Sequence, residues 1–84
     1  MNDNMKKMIE KKAKLLFKDA EMSFSFGDDK IIFRAEGMLN DILQLMEGIA
    51  NFVESTEKFA GLPNFDVVLS VQGTFYSFEI EMYR

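Results

Sequence analysis

Three carboxylates, Asp66, Glu79 and Glu81, come closest in this sequence to a catalytic arrangement. Glu79 and Glu81 alternate along an apolar stretch, so in a β-strand both side chains point to the same face of a sheet. Asp66 joins them if the stretch before it pairs with theirs. Two carboxylates can act as general acid and general base when burial or crowding separates their pKa values. Alternation on a solvated strand explains these residues without catalysis, and we predict that the protein is not an enzyme.

A second pair of acids occurs in the segment Phe26-Gly27-Asp28-Asp29. The segment resembles the Gly-Asp-Asp hairpin of polymerase palm domains, in which adjacent acids hold divalent metal ions for phosphoryl transfer. The resemblance covers one turn only, whereas a two-metal site needs a further carboxylate on a neighbouring strand and a polymerase needs a far longer chain. Because hairpin turns also select glycine and aspartate, we interpret the segment as a turn.

The residue types that common catalytic and metal sites require are missing. The chain contains no cysteine and no histidine, which removes disulfides, thiolate chemistry, the commonest metal ligand and the usual acid or base at neutral pH. No serine has a histidine to activate it, and no glycine-rich phosphate loop or metal-ligand spacing occurs. We predict no catalytic residue, no cofactor and no bound metal.

The net charge of −4 hides two oppositely charged parts of the chain. Residues 1–18 contain six lysines and two acids, and residues 19–84 contain four bases and twelve acids. A partner of the acidic part is therefore expected to present positive charge. The lysine row Lys7, Lys11, Lys14 and Lys18 could follow a phosphate backbone. It contains no arginine and is interrupted by Glu10, so nucleic-acid binding is only a weak alternative.

Residues 3–18 have the spacing of an amphipathic helix that Asn2 or Asp3 can cap. Its apolar side consists of Met5, Met8, Ile9, Ala13, Leu15, Leu16 and Ala20. Lys12 falls within this apolar side, where an unpaired ammonium group is costly. Two arrangements stay open: the lysine stem extends outward to solvent, which we favour, or a carboxylate of the acidic part meets it.

Residues 21–36 alternate polar and apolar side chains on both sides of a turn at 27–30, which predicts a β-hairpin. Placing Phe26 opposite Ile31 collects six apolar side chains on one face. This face consists of Met22, Phe24, Phe26, Ile31, Phe33 and Ala35, and the other of Glu21, Ser23, Ser25, Ile32, Arg34 and Glu36. Gly37 is expected to end the second strand.

Residues 65–84 predict a second hairpin with its turn at Gly73. A turn on Gly73 and Thr74 pairs Leu69 with Phe78, whereas a turn on Gln72 and Gly73 slips the pairing by two residues. Both alternatives bury the same face, made of Phe65, Val67, Leu69, Val71, Tyr76, Phe78, Ile80 and Met82. The open face carries Asp66, Val68, Ser70, Gln72, Phe75, Ser77, Glu79, Glu81 and Tyr83.

Residues 38–60 predict a central helix whose apolar arc covers about half of its circumference. One apolar row consists of Leu39, Ile42, Leu43, Met46, Ile49, Ala50 and Val53, and a second of Leu45, Phe52 and Phe59. Such an arc is wider than one sheet covers, so the helix is expected to meet a further neighbour or a partner. Gly61 and Pro63 end the helix. Thr56 and Glu57 interrupt the arc, so the last turn is expected to overhang the core or to form a separate short helix.

The order helix, hairpin, helix, hairpin predicts one α+β domain over residues 1–84, built from two tandem αββ units. We expect one four-stranded antiparallel sheet of order 1-2-4-3 with both helices on one face, similar to a ferredoxin-like sheet with its first strand moved to the end. No apolar run is long enough to span a membrane and no cleavable signal is apparent, so a soluble cytoplasmic protein is predicted.

The sequence favours a non-catalytic protein that docks the open face of its sheet on a basic surface of another protein. The predicted partner-binding residues are Glu36, Asp66, Phe75, Glu79, Glu81 and Tyr83. In size and charge the chain is similar in general character to phage-borne inhibitors, such as anti-CRISPR proteins, and to toxin-neutralising immunity proteins. That resemblance implies an inhibitor whose acids stand in for phosphates at a nucleic-acid-binding site.

Two other interpretations stay open. A structural homo-oligomer could bury the spare arc of the central helix, around Leu45 and Phe52, against a second copy. Scattered apolar residues without function explain the open sheet face equally well. The sequence does not decide whether the sheet face or the helix edge binds.

Overall fold

Two helices and four strands follow one another in the order that the sequence predicts. The computed structural model describes all 84 residues. The elements are α1 (Asp3–Leu16), β1 (Glu21–Phe26), β2 (Lys30–Met38), α2 (Ile42–Ala60), β3 (Asn64–Gln72) and β4 (Phe75–Tyr83). The strands form one antiparallel sheet of order β1-β2-β4-β3, and the helices pack against it. The predicted α+β class and strand order are therefore confirmed.

Both hairpins adopt a predicted register. Phe24 pairs with Phe33 across β1 and β2, and Leu69 pairs with Phe78 across β3 and β4. All of the apolar residues predicted for the buried face therefore lie on one side of the sheet, since side chains alternate along each strand.

The turn of the second hairpin is formed by Gly73 and Thr74, because Gln72 pairs with Phe75. Gly73 has a φ of 60°, and no residue other than glycine has a positive φ. This is the pattern of a type II′ turn, whose twist matches that of the paired strands. The alternative turn on Gln72 and Gly73 is wrong.

β2 continues past Gly37, where the sequence predicted its end. Gly37 pairs with Tyr76 of β4, and the N–H of Leu39 beyond it donates to the carbonyl oxygen of Thr74 at 2.7 Å. A Cβ at Gly37 would lie 3.0 Å from the hydroxyl oxygen of Tyr76. Gly37 therefore makes room for the tyrosine ring, and the strand does not break because β4 supplies its hydrogen-bond partners.

α2 begins at Ile42 rather than at residue 38. Its N-cap is Asp41, whose Oδ1 accepts hydrogen bonds from the N–H groups of Leu43 at 2.9 Å and Gln44 at 3.3 Å. These bonds satisfy donors of the first turn that have no partner within the helix.

The C-terminal end of α2 follows the prediction in part. Gly61 has a left-handed φ of 65° and its N–H donates to the carbonyl of Glu57, so it ends the helix as expected. The helix is continuous through Thr56 to Ala60, and the separate short helix is wrong. Neither α2 nor the shorter α1 is long and apolar enough to cross a membrane.

The hydrophobic core lies between the helices and the two central strands, β2 and β4. Its buried members are Ile9, Ala13 and Phe17; Ile31, Phe33 and Ala35; Leu45, Ile49, Phe52, Val53 and Leu62; and Tyr76, Phe78, Ile80 and Met82. Phe33 is at its centre, with ring centroids 4.7 Å from Phe52 and 5.5 Å from Phe78. Tilted and edge-to-face contacts between aromatic rings therefore join α2 to β2 and β2 to β4.

The outward side of α2 differs from the predicted one. Leu45 and Phe52 are 8% and 0% exposed, so they face the sheet, and the prediction that they form a spare arc for a second copy is wrong. Leu43 and Met46 are exposed instead, at 67% and 53%. An apolar arc of this width fits a sheet in more than one rotation about the helix axis, and the contact between Phe33 and Phe52 selects the observed one.

α1 also presents a narrower apolar side than predicted. Asn2 caps the helix by accepting a hydrogen bond from the N–H of Met5 at 2.8 Å. Met8 and Leu15, assigned to the apolar side, are 48% and 60% exposed. Lys12 is half-buried, and no carboxylate lies within 4 Å of its ammonium group. Its stem therefore extends to solvent, the arrangement favoured from the sequence.

Most of β3 lies outside the cover of the helices, although Leu69 packs against the core. Phe65, Val67 and Val71 point to the helix side of the sheet but are 52%, 36% and 42% exposed. The prediction that these residues are buried is wrong, because the helices contact β2 and β4 through Phe17 and Phe52 and stop short of the β3 edge.

Candidate interaction surface

The open face of the sheet, opposite the helices, consists of alternate residues of the four strands. They are Glu21, Ser23 and Ser25; Lys30, Ile32, Arg34, Glu36 and Met38; Asn64, Asp66, Val68, Ser70 and Gln72; and Phe75, Ser77, Glu79, Glu81 and Tyr83. Val68 and Phe75 are strongly exposed, at 67% and 61%. The face therefore presents apolar side chains among charged ones, as the sequence predicted.

Two of the predicted binding acids are already paired with bases of β2. Arg34 contacts Glu79 through Nε and Oε1 at 2.5 Å, and Lys30 contacts Glu81 through Nζ and Oε1 at 3.0 Å. Both pairs are partly exposed, so each stabilises the fold by only about 0–1 kcal/mol. Their charge is nevertheless compensated locally, which weakens their attraction for a distant cation.

A different pair of acids on this face has no compensating base. Glu21 and Glu36 lie directly opposite each other in β1 and β2, and no lysine or arginine lies within 4 Å of either carboxylate. Asp19 lines the same shallow hollow at this end of the sheet. The sequence placed Glu21 on this face but did not single it out, although the predicted hairpin register already set it against Glu36.

Asp66 and Tyr83 form the other end of the open face. Their side chains belong to the neighbouring strands β3 and β4, where Asp66 pairs in register with Glu81. The negative charge of Asp66 and its hydrogen bonding raise the pKa of the Tyr83 phenol above its ordinary value, with smaller contributions from burial and from Glu81. The phenol therefore stays protonated and can act as a hydrogen-bond donor at neutral pH.

The six predicted partner-binding residues share this face but do not form one cluster. Glu36 and Phe75 lie at the end near the Gly73 turn, Asp66, Glu81 and Tyr83 lie at the opposite end, and Glu79 lies between them. The eight residue steps from Phe75 to Tyr83 correspond to about 27 Å. A single partner would need a long footprint to contact all six, whereas Glu36, Phe75 and the unpredicted Glu21 fit a smaller one.

The acids of the chain are not arranged for metal binding. No group of three or more acidic side chains is close enough to hold a metal ion. Asp28 and Asp29, in the turn that resembles the polymerase motif, are exposed, and Asp29 contacts Nε of Arg84 at 3.6 Å.

The predicted lysine row, whose last member Lys18 lies just beyond the end of α1, is exposed. Lys7, Lys11, Lys14 and Lys18 all face solvent, and none of them forms an ion pair. Lys6, which lies outside this row, places its ammonium group 5.7 Å from the ring centroid of Phe26. Such a contact stabilises an exposed site by about 0.5–1 kcal/mol and fixes α1 over the β1 edge of the sheet.

The open face thus offers charge, hydrogen-bond donors and apolar anchors, which are the elements of a binding surface. Its carboxylates are partly or fully exposed to solvent. Compared with known proteins, the sequence matches no family model and no curated protein.

Proposed function

We propose that the protein is a small, non-catalytic interaction module that docks the open face of its sheet on a basic surface of another protein. The observation that carries this proposal is the uncompensated pair Glu21 and Glu36 beside the exposed Phe75. Like charges directly opposite each other in a sheet are destabilising. The pair of Glu21 and Glu36 therefore does not stabilise the fold, which is consistent with acids that bind a cationic partner.

The proposed footprint is centred on the end of the face near the Gly73 turn rather than spread along all of it. Glu21 and Glu36 supply negative charge, and Phe75 supplies apolar contact area. Glu79 and Glu81 contribute less than the sequence suggested, because a partner's cations compete with Arg34 and Lys30 for them.

Inhibition by occlusion is part of the same proposal. Basic surfaces on proteins commonly bind nucleic acid, and carboxylates on a rigid sheet can take the place of phosphates at such a surface. The general character of phage-borne inhibitors and of immunity proteins fits this mechanism, and so does a cytoplasmic location.

The test is capture of binding partners from an extract of the native host by the immobilised protein and by two variants with the same charge change. Glu21→Gln with Glu36→Gln removes the proposed contact, and Glu54→Gln with Glu57→Gln removes two exposed acids of α2. We expect the first variant to bind a basic partner about tenfold more weakly than the native protein, which corresponds to a loss of about 1.4 kcal/mol of binding free energy. The second variant should retain it as the native protein does.

The salt dependence of the same interaction provides the second measurement. Attraction between exposed charges is screened by salt, so the native protein should lose its partner as ionic strength rises, and the Glu21 and Glu36 variant should lose it less steeply. Equal capture by both variants would remove the open face from consideration. Capture of nucleic acid instead of protein would point to the lysine row of α1.

A further inference from the structure

The exposed edge of the sheet at β3 is an unprotected strand. β3 runs for nine residues and pairs with β4 on one side only. Folded proteins shield such edges with proline, lysine, bulges or short strands, because free backbone groups recruit other strands. β3 has none of these features: its pairing with β4 is unbroken, and its only charged residue is Asp66.

The backbone groups that β3 leaves free can be assigned from its neighbours. The carbonyl oxygen of Thr74 accepts from the N–H of Leu39 at 2.7 Å and therefore points to β2. The N–H of Phe75 belongs to the same peptide unit and points the opposite way, to Gln72 in β3. Hydrogen-bonded and non-hydrogen-bonded pairs alternate along antiparallel strands. Even-numbered residues of β3 therefore bond to β4, and Phe65, Val67, Leu69 and Val71 direct their N–H and C=O groups outward.

We propose that β3 pairs antiparallel with β3 of a second copy about a twofold axis at Val68. This register pairs all nine residues and sets Phe65 against Val71 and Val67 against Leu69. The four residues with free backbone groups then become the hydrogen-bonded pairs across the axis. Two four-stranded sheets would join into one sheet of eight strands, with the helices of both copies on the same side.

The charge of β3 favours a second copy as the occupant. In the proposed register the only charged residue, Asp66, lies opposite Ser70, so no like charges meet. A register centred two residues earlier would place Asp66 of one copy opposite Asp66 of the other, and like charges in that position are destabilising. The strand is therefore complementary to itself in the register that pairs it completely.

The apolar side chains beside the edge also fit this arrangement. Phe65, Val67 and Val71 are exposed on the helix side of β3. Met46 of α2 is 53% exposed and lies roughly 160° around the helix axis from Gly48, the residue that meets the end of α1. Pairing about Val68 would bring these exposed apolar side chains of one copy close to the same side chains of the other copy. This inference is independent of the proposed function, which uses the open face.

The mass of the protein in solution, measured by sedimentation across a dilution series, is the first test. We expect a reversible dimer. Val68→Lys would oppose two ammonium groups at the twofold axis and should give a monomer, whereas Phe75→Lys, on the same face at similar exposure, should stay dimeric. A native protein that is monomeric throughout, a Val68→Lys variant that still dimerises, or an open-ended polymer would each overturn the proposal.

A disulfide test covers the case in which Val68→Lys fails to fold. The native chain has no cysteine, and opposite residues of a non-hydrogen-bonded pair have Cα atoms about 4.5 Å apart, within the range of a disulfide. Val68→Cys should oxidise readily to a covalent dimer, and Phe75→Cys should not. Equal cross-linking of the two variants, or none in either, would overturn the proposal.

Amide hydrogen exchange reports the same contact residue by residue. In the dimer the N–H groups of Phe65, Val67, Leu69 and Val71 should be protected, and dilution should expose them while the even-numbered amides of β3 stay protected. Fast exchange of the odd-numbered amides at every concentration would contradict edge pairing.

Discussion

The ring of Phe17, at the end of α1, lies directly against the Cα of Gly48 in the middle of α2. A Cβ at Gly48 would come within 3.0 Å of Cε1 and 3.3 Å of Cζ of that ring. Phe17 also contacts Phe33 and Phe78, with ring centroids 5.8 Å and 5.0 Å away. One ring thus joins both helices to both central strands, and it can do so because α2 has no side chain at the point of contact.

Gly48→Ala is therefore expected to destabilise the protein, although alanine is the better helix former. The gain in helix propensity is about 1 kcal/mol, and overpacking a core costs about 1–3 kcal/mol, so the free energy of unfolding should fall by about 1 kcal/mol. Chemical denaturation measures it. Ala50→Gly, at an exposed position of the same helix, provides the propensity reference. Gly48→Ala should destabilise a Phe17→Leu variant less than it destabilises the native protein. A more stable Gly48→Ala variant would contradict the contact.

Thr56→Val is expected to stabilise the protein. The hydroxyl oxygen of Thr56 is buried without a hydrogen-bond partner, and the residue is 1% exposed. Valine keeps the shape and removes a polar group whose unsatisfied burial costs about 1–3 kcal/mol. The denaturation midpoint should rise with an unchanged slope. Ser55→Ala is the neighbouring control, since Ser55 donates to Asn51 at 3.1 Å and is not buried; its midpoint should not rise.

The stability of the protein should fall in alkaline solution through its two tyrosines. Burial, helped by the charge of Asp19, raises the pKa of the Tyr76 phenol, and Asp66 raises the pKa of Tyr83. A raised pKa in the folded state means that folding favours the protonated phenol. Its contribution is complete below the ordinary pKa of about 10 and is lost as the pH rises through the folded value.

Ultraviolet absorbance of the phenolate measures both titrations. Tyr76→Phe leaves only Tyr83, and in that background Asp66→Asn should lower the pKa of Tyr83 towards its ordinary value. Asp19→Asn, at the opposite end of the sheet near Phe75, should leave it unchanged. A Tyr83 titration that is insensitive to Asp66→Asn would contradict the contact between the two side chains.

Glu21→Lys should stabilise the fold while it weakens the proposed docking. It converts the repulsion between residues 21 and 36 into attraction, and cross-strand pairs of this kind contribute about 0.2–1 kcal/mol. Glu54→Lys carries the same change of charge on α2 and controls for the net charge of the protein. If the Glu21→Lys variant is more stable and still binds its partner as well as the native protein does, Glu21 and Glu36 do not take part in docking.

The faces of the strands were predictable, because alternation places every apolar residue of a hairpin on one side. Alternation together with the turn at 27–30 gives the pair of Phe24 and Phe33, but it left two pairings open for Leu69, and only the structure shows that Phe78 is the partner. The end of β2 was not predictable, since glycine ends many strands and only the ring of Tyr76 on the neighbouring strand shows why Gly37 is needed. The rotation of α2 was not predictable either, because its apolar arc fits the sheet in several ways.

The acids of the candidate surface were only partly predictable from the sequence. Alternation places Glu79 and Glu81 on the open face, but whether they are free depends on Arg34 and Lys30, which reach them from a strand that is distant in sequence. The exposure of β3 was missed for a similar reason. Its pattern is that of a strand with one buried face, and nothing in the pattern tells how far the helix layer extends.

The place of β4 in the middle of the sheet has a consequence for synthesis. β4 follows every other element in the chain, yet both β2 and β3 pair with it. During synthesis on the ribosome, the backbone N–H and C=O groups of β2 and β3 that pair with β4 therefore have no partner until β4 emerges. Phenylalanine and valine side chains of the earlier strands stay exposed for the same time. Incomplete chains should be bound by chaperones and cut readily by proteases, and resistance should arise abruptly when β4 inserts.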